Sequence, residues 1–233
     1  MTRPAARTPS RRRVLAGLGL GVPALLLAAA CSDATAAPVP GVRLHTDWTR
    51  RPAGTVPVLG DDGLAFRLAQ EGGAPPPAVV GNALRAAMPD RTSSSSLTQE
   101  MRSPVRRLGA TVAFGPGTEA GAFVLAAWTG VPAVHASCHL VLTPRQWLYG
   151  VIENQEALRV IAQDTFPTPV LPDTPVTVDV TLAGRVATLR LPGASATVDD
   201  PRIASTVATA PSWGFYRSGP GGADVALLQS WAG

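Results

Sequence analysis

The chain contains no lysine, and only two of its 233 residues are cysteines. Without lysine, neither a Schiff base nor the phosphate-binding lysine of a P-loop is available. Two cysteines cannot form a disulfide framework, so burial of apolar surface must stabilise the folded part. Charged residues are few, at 15%, but 45% hydrophobic residues exclude a wholly disordered chain, and 23 prolines with 23 glycines argue against long helices.

The positive charge of the chain is concentrated at its N-terminus. The formal net charge is +4, but five of the 20 arginines precede residue 31, and the remainder is close to neutral, at −1. Binding to nucleic acid needs concentrated positive charge on the folded part. We therefore expect no nucleic-acid partner.

The first 31 residues have the three-part layout of an export signal. A charged, polar stretch precedes an uncharged run over residues 14–30, which ends in three alanines before Cys31. Three glycines and a proline interrupt this run, so cleavage is favoured over a permanent membrane-spanning helix. The segment Ser10–Leu15 resembles a bacterial twin-arginine export signal, in which Arg11 and Arg12 are the arginine pair.

The stretch that ends at Cys31 resembles a bacterial lipobox. The resemblance implies that Cys31 is acylated and becomes the mature N-terminus, which anchors the protein on the outer face of the cytoplasmic membrane or at the cell surface. The pattern departs at Ala28, where the lipobox prefers leucine, and at Ala16, where the twin-arginine signal often has lysine. The alternative is ordinary signal-peptidase cleavage near Ala36, with Cys31 unmodified.

Three segments are expected: an export signal over residues 1–30, an Ala/Pro-rich tether over 31–42, and one folded domain over 43–233. The domain contains short β-rich runs separated by Pro, Gly and Ser, at the spacing of an antiparallel sandwich. Composition predicts loops for Glu71–Pro77 and Thr92–Ser96. Strands are predicted at Gly63–Leu68, Ala78–Leu84, Arg107–Phe114, Ala122–Trp128, Val134–Leu142, Gln146–Glu153, Leu158–Gln163, Val176–Leu182, Arg185–Leu191, Ser212–Arg217 and Asp224–Trp231.

The best-specified element is a hairpin between the runs Val176–Leu182 and Arg185–Leu191. A two-residue Ala183-Gly184 loop sets Val180 opposite Ala187 and makes one face apolar. The other face is then polar and solvent-exposed, which is typical of an antiparallel sheet covering a core.

The pattern and order of these strands resemble the concanavalin A-like and laminin-G-like jelly rolls. The resemblance rests on Thr46–Thr55 opening the domain, on Arg107–Phe114, on His139–Leu142, on the hairpin, and on the closing Val225–Trp231. It implies an all-β fold of two antiparallel sheets. It also implies calcium at the sheet rim in some relatives, for which Asp61-Asp62 and Asp199-Asp200 would supply oxygens; the alternative is that these acids are only solvated.

The sequence lacks the motifs of several enzyme classes. The Glu-x-Asp-x-Glu string of jelly-roll hydrolases is missing, and the acids of Glu153–Glu156 have the spacing of a polar turn. There is no Gly-x-Ser-x-Gly elbow. A zinc site at His135, Cys138 and His139 is disfavoured, because on a strand the two histidines lie about 13 Å apart and the cysteine faces the other way. We therefore lean against an enzyme.

Binding is the leading hypothesis, with aromatic side chains as stacking platforms for a glycan. The candidates are Trp48, Trp147, Tyr149 and Trp213. Trp147 and Tyr149 share one strand face; pairing of Glu153 with Leu158 across the next turn would favour a core position for them instead.

The sequence therefore predicts a lipid-anchored, surface-exposed β-sandwich that binds a glycan or another envelope component without chemistry. Two alternatives are left open: a glycoside hydrolase or lyase of the same fold with a displaced carboxylate pair, and a structural module that docks a protein partner.

Overall fold

The structure is a computed structural model that describes residues 43–129, 136–154, 157–206 and 208–233. The predicted export-signal residues Arg11 and Arg12, the lipidation residue Cys31, and His135 lie outside the described residues. Within the described ranges, no helix has the length and apolar character needed to cross a membrane.

The described residues form two antiparallel β-sheets, which confirms the predicted all-β sandwich. A 3-10 turn covers Trp48–Arg50 and a short helix, α1, covers Pro201–Ser205. In chain order the strands are β1 (Leu44–Asp47), β2 (Gly54–Thr55), β3 (Arg67–Glu71), β4 (Ala78–Val79), β5 (Leu84–Arg85), β6 (Ser93–Thr98), β7 (Arg107–Phe114), β8 (Gly121–Trp128), β9 (Ser137–Leu142), β10 (Gln146–Ile152), β11 (Arg159–Thr165), β12 (Val176–Ala183), β13 (Val186–Leu191), β14 (Ala194–Asp199), β15 (Ala210–Arg217) and β16 (Val225–Ala232).

The two sheets differ in size and strand order. The nine-stranded sheet runs β14-β13-β12-β7-β16-β5-β4-β2, and β1 pairs with β16 beside this path. The seven-stranded sheet runs β11-β10-β9-β8-β15-β6-β3. Each sheet therefore has one face toward the other sheet and one outer face.

Apolar residues that alternate along the strands form the core between the sheets. Phe123, Leu125 and Trp213 enter it from the seven-stranded sheet, and Val112 and Leu189 enter it from the nine-stranded sheet; all are 2% exposed or less. Burial of a side chain of this size contributes about 1.5–3 kcal/mol relative to leaving it in water.

The hairpin of β12 and β13 differs from the prediction in register. Ala183 pairs with Val186, so the loop is Gly184-Arg185, and Val180 lies opposite Leu189 instead of Ala187. The shift of two residues keeps every side chain on its predicted face, because side chains alternate with a period of two. Gly184 takes a positive φ of 58°, a conformation that glycine adopts without strain.

Serine composition misled the prediction most clearly at residues 92–96. Ser93–Thr98 is not a loop but strand β6, paired with β15 on one side and β3 on the other. The predicted strand Gly63–Leu68 begins later, at Arg67, and Ala78–Leu84 is divided into the short β4 and β5. The strands β1, β2 and β14 were not predicted.

Candidate functional site

The four aromatic residues predicted to stack on a ligand are buried. Trp48 and Trp213 are 0% exposed, Tyr149 1% and Trp147 7%. A ring that stacks on a sugar must offer one face to solvent, so these four residues do not form a binding surface in this structure. A depression of about 50 Å³ beside Trp147 is too small for a sugar ring.

The polar edges of the buried tryptophans are satisfied inside the protein. Trp48 Nε1 donates to Ser230 Oγ at 3.1 Å, and Trp213 Nε1 donates to the Gly109 carbonyl of the opposite sheet at 3.0 Å. The predicted pairing of β10 with β11 is correct at Tyr149, which lies opposite Ala162. Trp147 and Tyr149 are therefore core residues, as the alternative based on this pairing predicted.

The outer face of the seven-stranded sheet presents different residues. On β8 the side chains of Ala122, Val124, Ala126 and Trp128 alternate with core residues, and on β15 the corresponding outer residues are Ser212, Gly214 and Tyr216. The described strands all belong to the two sheets, so no third sheet covers this surface. We name it the aromatic face and define it by Trp128, His139, Ser212, Gly214 and Tyr216.

Trp128 and Tyr216 lie at opposite ends of the aromatic face. Tyr216 pairs with Ala122 and Trp128 pairs with Ala210, so six residues of strand, about 20 Å, separate their rows. Tyr216 is 36% exposed and Trp128 is half-buried. Both rings are therefore reachable from solvent.

Small residues form the floor between the two rings. Ser212 lies opposite Ala126, and Gly214 lies opposite Val124. A Cβ added to Gly214 would be 3.5 Å from the Cβ atoms of Ser96 and Val124, an ordinary contact distance, so this buried position has room for a methyl group. The Ser212 hydroxyl is held by Thr98 Oγ1 at 3.0 Å and donates to the Leu97 carbonyl at 3.2 Å.

His139 fixes the position of Trp128. The two rings meet edge to face, with their centroids 5.1 Å apart and their planes at 78°. His139 Nε2 and the Ser137 hydroxyl are hydrogen-bonded at 2.7 Å. Burial lowers the pKa of His139 from 6.5 to about 4, so the ring is neutral at pH 7.

The Ser137–His139 pair does not have the properties of a nucleophilic dyad. Ser137 is 0% exposed, so a substrate cannot reach its hydroxyl. Of the acidic cluster that was predicted to be a turn, Glu153 directly follows β10. The next residue, Asn154, has a positive φ of 53°, which is typical of a turn. Glu156 lies outside the described residues.

The predicted calcium ligands are engaged with other groups. Asp61 pairs with Arg51, and Asp199 pairs with Arg185. Asp62 accepts hydrogen bonds from Gln99 Nε2 at 3.1 Å and from the Leu64 N–H at 2.8 Å. Among the described residues, no group of three or more His, Cys, Asp or Glu side chains is placed to hold a metal ion.

Asp200 is the N-cap of α1 and accepts from the Arg202 N–H at 2.9 Å. Its second oxygen pairs with the Arg202 guanidinium at 2.6 Å. The hydrogen bond from the Arg202 side chain lowers the pKa of Asp200 to about 2. This carboxylate caps a helix and is already paired with a cation.

Cys138 and His139 point to opposite faces of β9, as the sequence predicts. Cys138 faces the core, where burial raises the pKa of its thiol and hydrogen bonds from Tyr149 and Thr206 partly oppose the rise. A thiol with a raised pKa is a poor thiolate ligand or nucleophile.

No protein-family model and no curated protein sequence matches the chain. Solved structures do match. The CBM2 module of the Lactobacillus casei BL23 phage J-1 evolved Dit has a TM-score of 0.52 at 13% identity and covers 82% of this chain and 94% of its own. A Bacillus subtilis protein of unknown function with a galectin-like fold has a TM-score of 0.52 at 13% identity, covering 81% and 97%.

The potassium-bound carbohydrate recognition domain of Emp46p has a TM-score of 0.54 at 9% identity, covering 72% of this chain and 87% of its own. At these identities the likeness establishes the fold: an antiparallel, galectin-like jelly-roll sandwich. The predicted fold class is confirmed.

Proposed function

We propose that this protein is a surface-exposed glycan-binding module without catalytic activity, and that the aromatic face is its binding surface. The observation that carries the proposal is the pair of solvent-accessible rings, Trp128 and Tyr216, on one outer sheet face, with only Ser212 and Gly214 on β15 between their rows. Sugar-binding surfaces combine aromatic rings with a few fixed polar groups. Tyr216, which is 36% exposed, supplies both a ring and a hydroxyl on this face.

The length of the face favours a chain of sugars over a single one. About 20 Å between the rows of Trp128 and Tyr216 exceeds one sugar ring several times over. Trp128 is held by its edge-to-face contact with His139, so its ring loses little freedom when a ligand stacks on it. Two of the similar structures are described as a carbohydrate-binding module and a carbohydrate recognition domain, which supports the same ligand class.

A binding role without chemistry agrees with the groups on this face. His139 is neutral at pH 7, and its hydroxyl partner Ser137 is inaccessible. Among the described residues, none of the outward-facing side chains of β8 and β15 between Trp128 and Tyr216 is a carboxylate. Glycoside hydrolysis needs a pair of carboxyl groups beside the scissile bond.

The binding experiment is a glycan array probed with the purified chain, with and without calcium and potassium. We expect binding to one class of polysaccharide, and a Trp128→Ala variant that binds at least about 30-fold more weakly, as for a central aromatic contact. Gly214→Val should weaken binding similarly, because its methyl groups fill the floor. The cation series tests whether a metal contributes, as the potassium-bound relative suggests.

Leu171→Ala is the control variant, since Leu171 is 66% exposed and lies outside both sheets. It should bind like the wild type. Equal affinities of wild type and Trp128→Ala, or silence of the array under every cation condition, would contradict the proposal and make a protein partner the next target. Release of reducing ends from a bound glycan would contradict the non-catalytic part.

We also propose that the mature chain is anchored through an acylated Cys31 after twin-arginine export through Arg11 and Arg12. Cys31 and Cys138 are the two cysteines of the chain, and Cys138 is buried. A Cys31→Ala variant should leave the membrane fraction, whereas Cys138→Ala should stay there. Full retention of Cys31→Ala in membranes would refute the anchor.

A further inference from the structure

The outer face of the nine-stranded sheet carries a second, chemically different group of residues. In one row across the sheet, Asp179 lies opposite Arg190 on one side and Gly109 on the other, and Trp231 lies opposite Gly109. The next row on the same face contains Thr188 of β13, Thr181 of β12 and Arg107 of β7. Arg43 lies near the end of this row, on the far side of β16, where its N–H donates to the Ala232 carbonyl. We name this surface the arginine face and define it by Arg43, Arg107, Arg190, Thr181 and Thr188.

A buried carboxylate lies at the centre of this face. Asp179 is only 4% exposed although its side chain is on the outer side of the sheet. Its Oδ2 accepts a hydrogen bond from Trp231 Nε1 at 3.1 Å and one from Arg107 Nε at 2.7 Å. Asp179 therefore holds two side chains of the outer face in place.

The contact with Asp179 orients the Arg107 guanidinium. Its Nε is engaged, whereas 26% of the side chain is exposed, and within the described ranges Arg107 has no ion pair besides Asp179. A guanidinium offers five N–H donors in a planar fork that fits a carboxylate with two parallel hydrogen bonds. Arg107 is thus a fixed donor with unused hydrogen-bonding capacity.

Further cations and hydroxyls surround Arg107. Arg190 and Arg43 are exposed, and in the described part of the chain Arg190 has no ion-pair partner. Thr181 and Thr188 pair with each other across β12 and β13, and both side chains are exposed. The nearest acid in these two rows is Asp179, which is already engaged, so the exposed groups of this face are positively charged or neutral.

We propose that the arginine face binds a carboxylated polysaccharide, with Arg107 contacting a sugar carboxylate and Arg190 and Arg43 contacting neighbouring ones. Charge complementarity supports an anionic ligand, and the threonine hydroxyls suit a ligand rich in hydroxyl groups. A membrane surface fits less well, because none of the large exposed hydrophobic side chains of the described residues lies in these two rows. This site goes beyond the proposed function and does not depend on the aromatic face.

The experiment measures binding of the purified full chain to polygalacturonate, alginate and hyaluronate, with fully methyl-esterified polygalacturonate as the uncharged counterpart. We expect binding to at least one acidic polymer, none to the esterified one, and weaker binding at high salt. Arg107→Gln and Arg190→Gln should each weaken binding at least about tenfold, because each removes a charge-assisted hydrogen bond.

The matched control is Arg159→Gln on the edge strand β11 of the other sheet, which removes a charge that is exposed like that of Arg190. It should bind like the wild type. Asp179→Asn separates positioning from simple charge attraction: it makes the face more positive, yet we expect weaker binding because Arg107 loses its anchor. Thermal unfolding of each variant identifies loss of folding, and Arg190→Gln, at an exposed position, tests the proposal independently of stability.

Failure to bind any of the three acidic polymers would overturn the proposal. So would equal weakening by Arg159→Gln, or tighter binding by Asp179→Asn. Binding to vesicles of anionic phospholipid without binding to the polymers would assign the face to a membrane instead. The two proposals can fail separately. If Trp128→Ala abolishes binding to a neutral glycan and Arg190→Gln leaves it unchanged, the aromatic face binds glycans whether or not the arginine face binds acidic polymers.

Discussion

Each outer face of the sandwich has a glycine near its centre, and the two glycines have opposite surroundings. On the aromatic face, a Cβ at Gly214 would meet its nearest atoms at 3.5 Å, so a methyl group fits there without a clash. On the arginine face, a Cβ at Gly109 would lie 2.5 Å from the ring of Trp231, which rests directly on the glycine. A methyl group could be added at one glycine without a clash, whereas the other glycine is covered by the protein's own tryptophan.

The two faces also differ in the surroundings of their buried ionisable groups. His139 on the aromatic face is buried and neutral at pH 7, because burial lowers its pKa to about 4. Asp179 on the arginine face is equally buried but is held by a guanidinium and an indole N–H. A buried charge is tolerated only with such partners, which explains why the buried carboxylate is paired and the buried imidazole is neutral.

The largest expected difference is in acid stability and depends on His139. Its folded pKa, about 4, is below the unfolded value of 6.5, so between these pH values the unfolded chain binds a proton that the folded protein does not. Stability should therefore fall as the pH drops from about 6.5 to 4, by about 3 kcal/mol in total. Urea denaturation at pH 7 and pH 4 measures this loss. His139→Gln should abolish most of it, whereas His45→Gln on the other face should retain it; equal losses in both variants would contradict the assignment.

The second prediction compares the two glycines directly. Gly109→Ala should destabilise the protein by about 2 kcal/mol, because the ring of Trp231 must move and its bond to Asp179 is disturbed. Gly214→Ala should change stability by less than about 0.5 kcal/mol, because the added methyl group meets its nearest atoms at an ordinary contact distance. Chemical denaturation of both variants gives the comparison, and similar losses would mean that the aromatic face is as filled as the arginine face.

The third prediction removes one hydrogen bond to Asp179. Trp231→Phe keeps an aromatic ring on Gly109 but deletes the indole N–H, which should cost about 1.5 kcal/mol, as for a hydrogen bond to a charged group. Trp128→Phe on the aromatic face should destabilise the protein less. Trp128 is held by an edge-to-face contact with the His139 ring, and a phenylalanine ring can also make such a contact. A larger loss for Trp128→Phe than for Trp231→Phe in thermal unfolding would argue against this ranking.

The smallest expected effect is at Arg190. Because this side chain is exposed, Arg190→Gln should change the free energy of unfolding by no more than about 0.5 kcal/mol. The same variant is expected to lose acidic-polymer binding. A clear loss of stability at this position would instead give Arg190 a structural role.

Several elements could be predicted from the sequence because apolar and polar residues alternate along them. Arg107–Phe114 was predicted with its observed ends, and β8, β10, β12 and β16 were predicted within about two residues. Ser93–Thr98 was not, because serine alone favours turns, and this strand forms by pairing with β15 and β3.

The proposed binding residues were harder to predict than the fold. Trp128 is in the predicted strand Ala122–Trp128, and alternation places it with Ala122, Val124 and Ala126. Both faces of that strand are apolar, however, so the pattern does not indicate which one points outward. Tyr216 follows Phe215 and therefore faces opposite to it and to Trp213, a signal that was available but not used.

By itself, the sequence determined the all-β class, the antiparallel hairpin and the opposite orientation of Cys138 and His139, because these follow from local alternation of side chains. Only the tertiary structure decided that Trp48, Trp147, Tyr149 and Trp213 are core residues. The same packing placed Trp231 on Gly109 and left room for a methyl group at Gly214. Which face of a strand meets the opposite sheet depends on residues distant in the chain, and no local pattern contains that information.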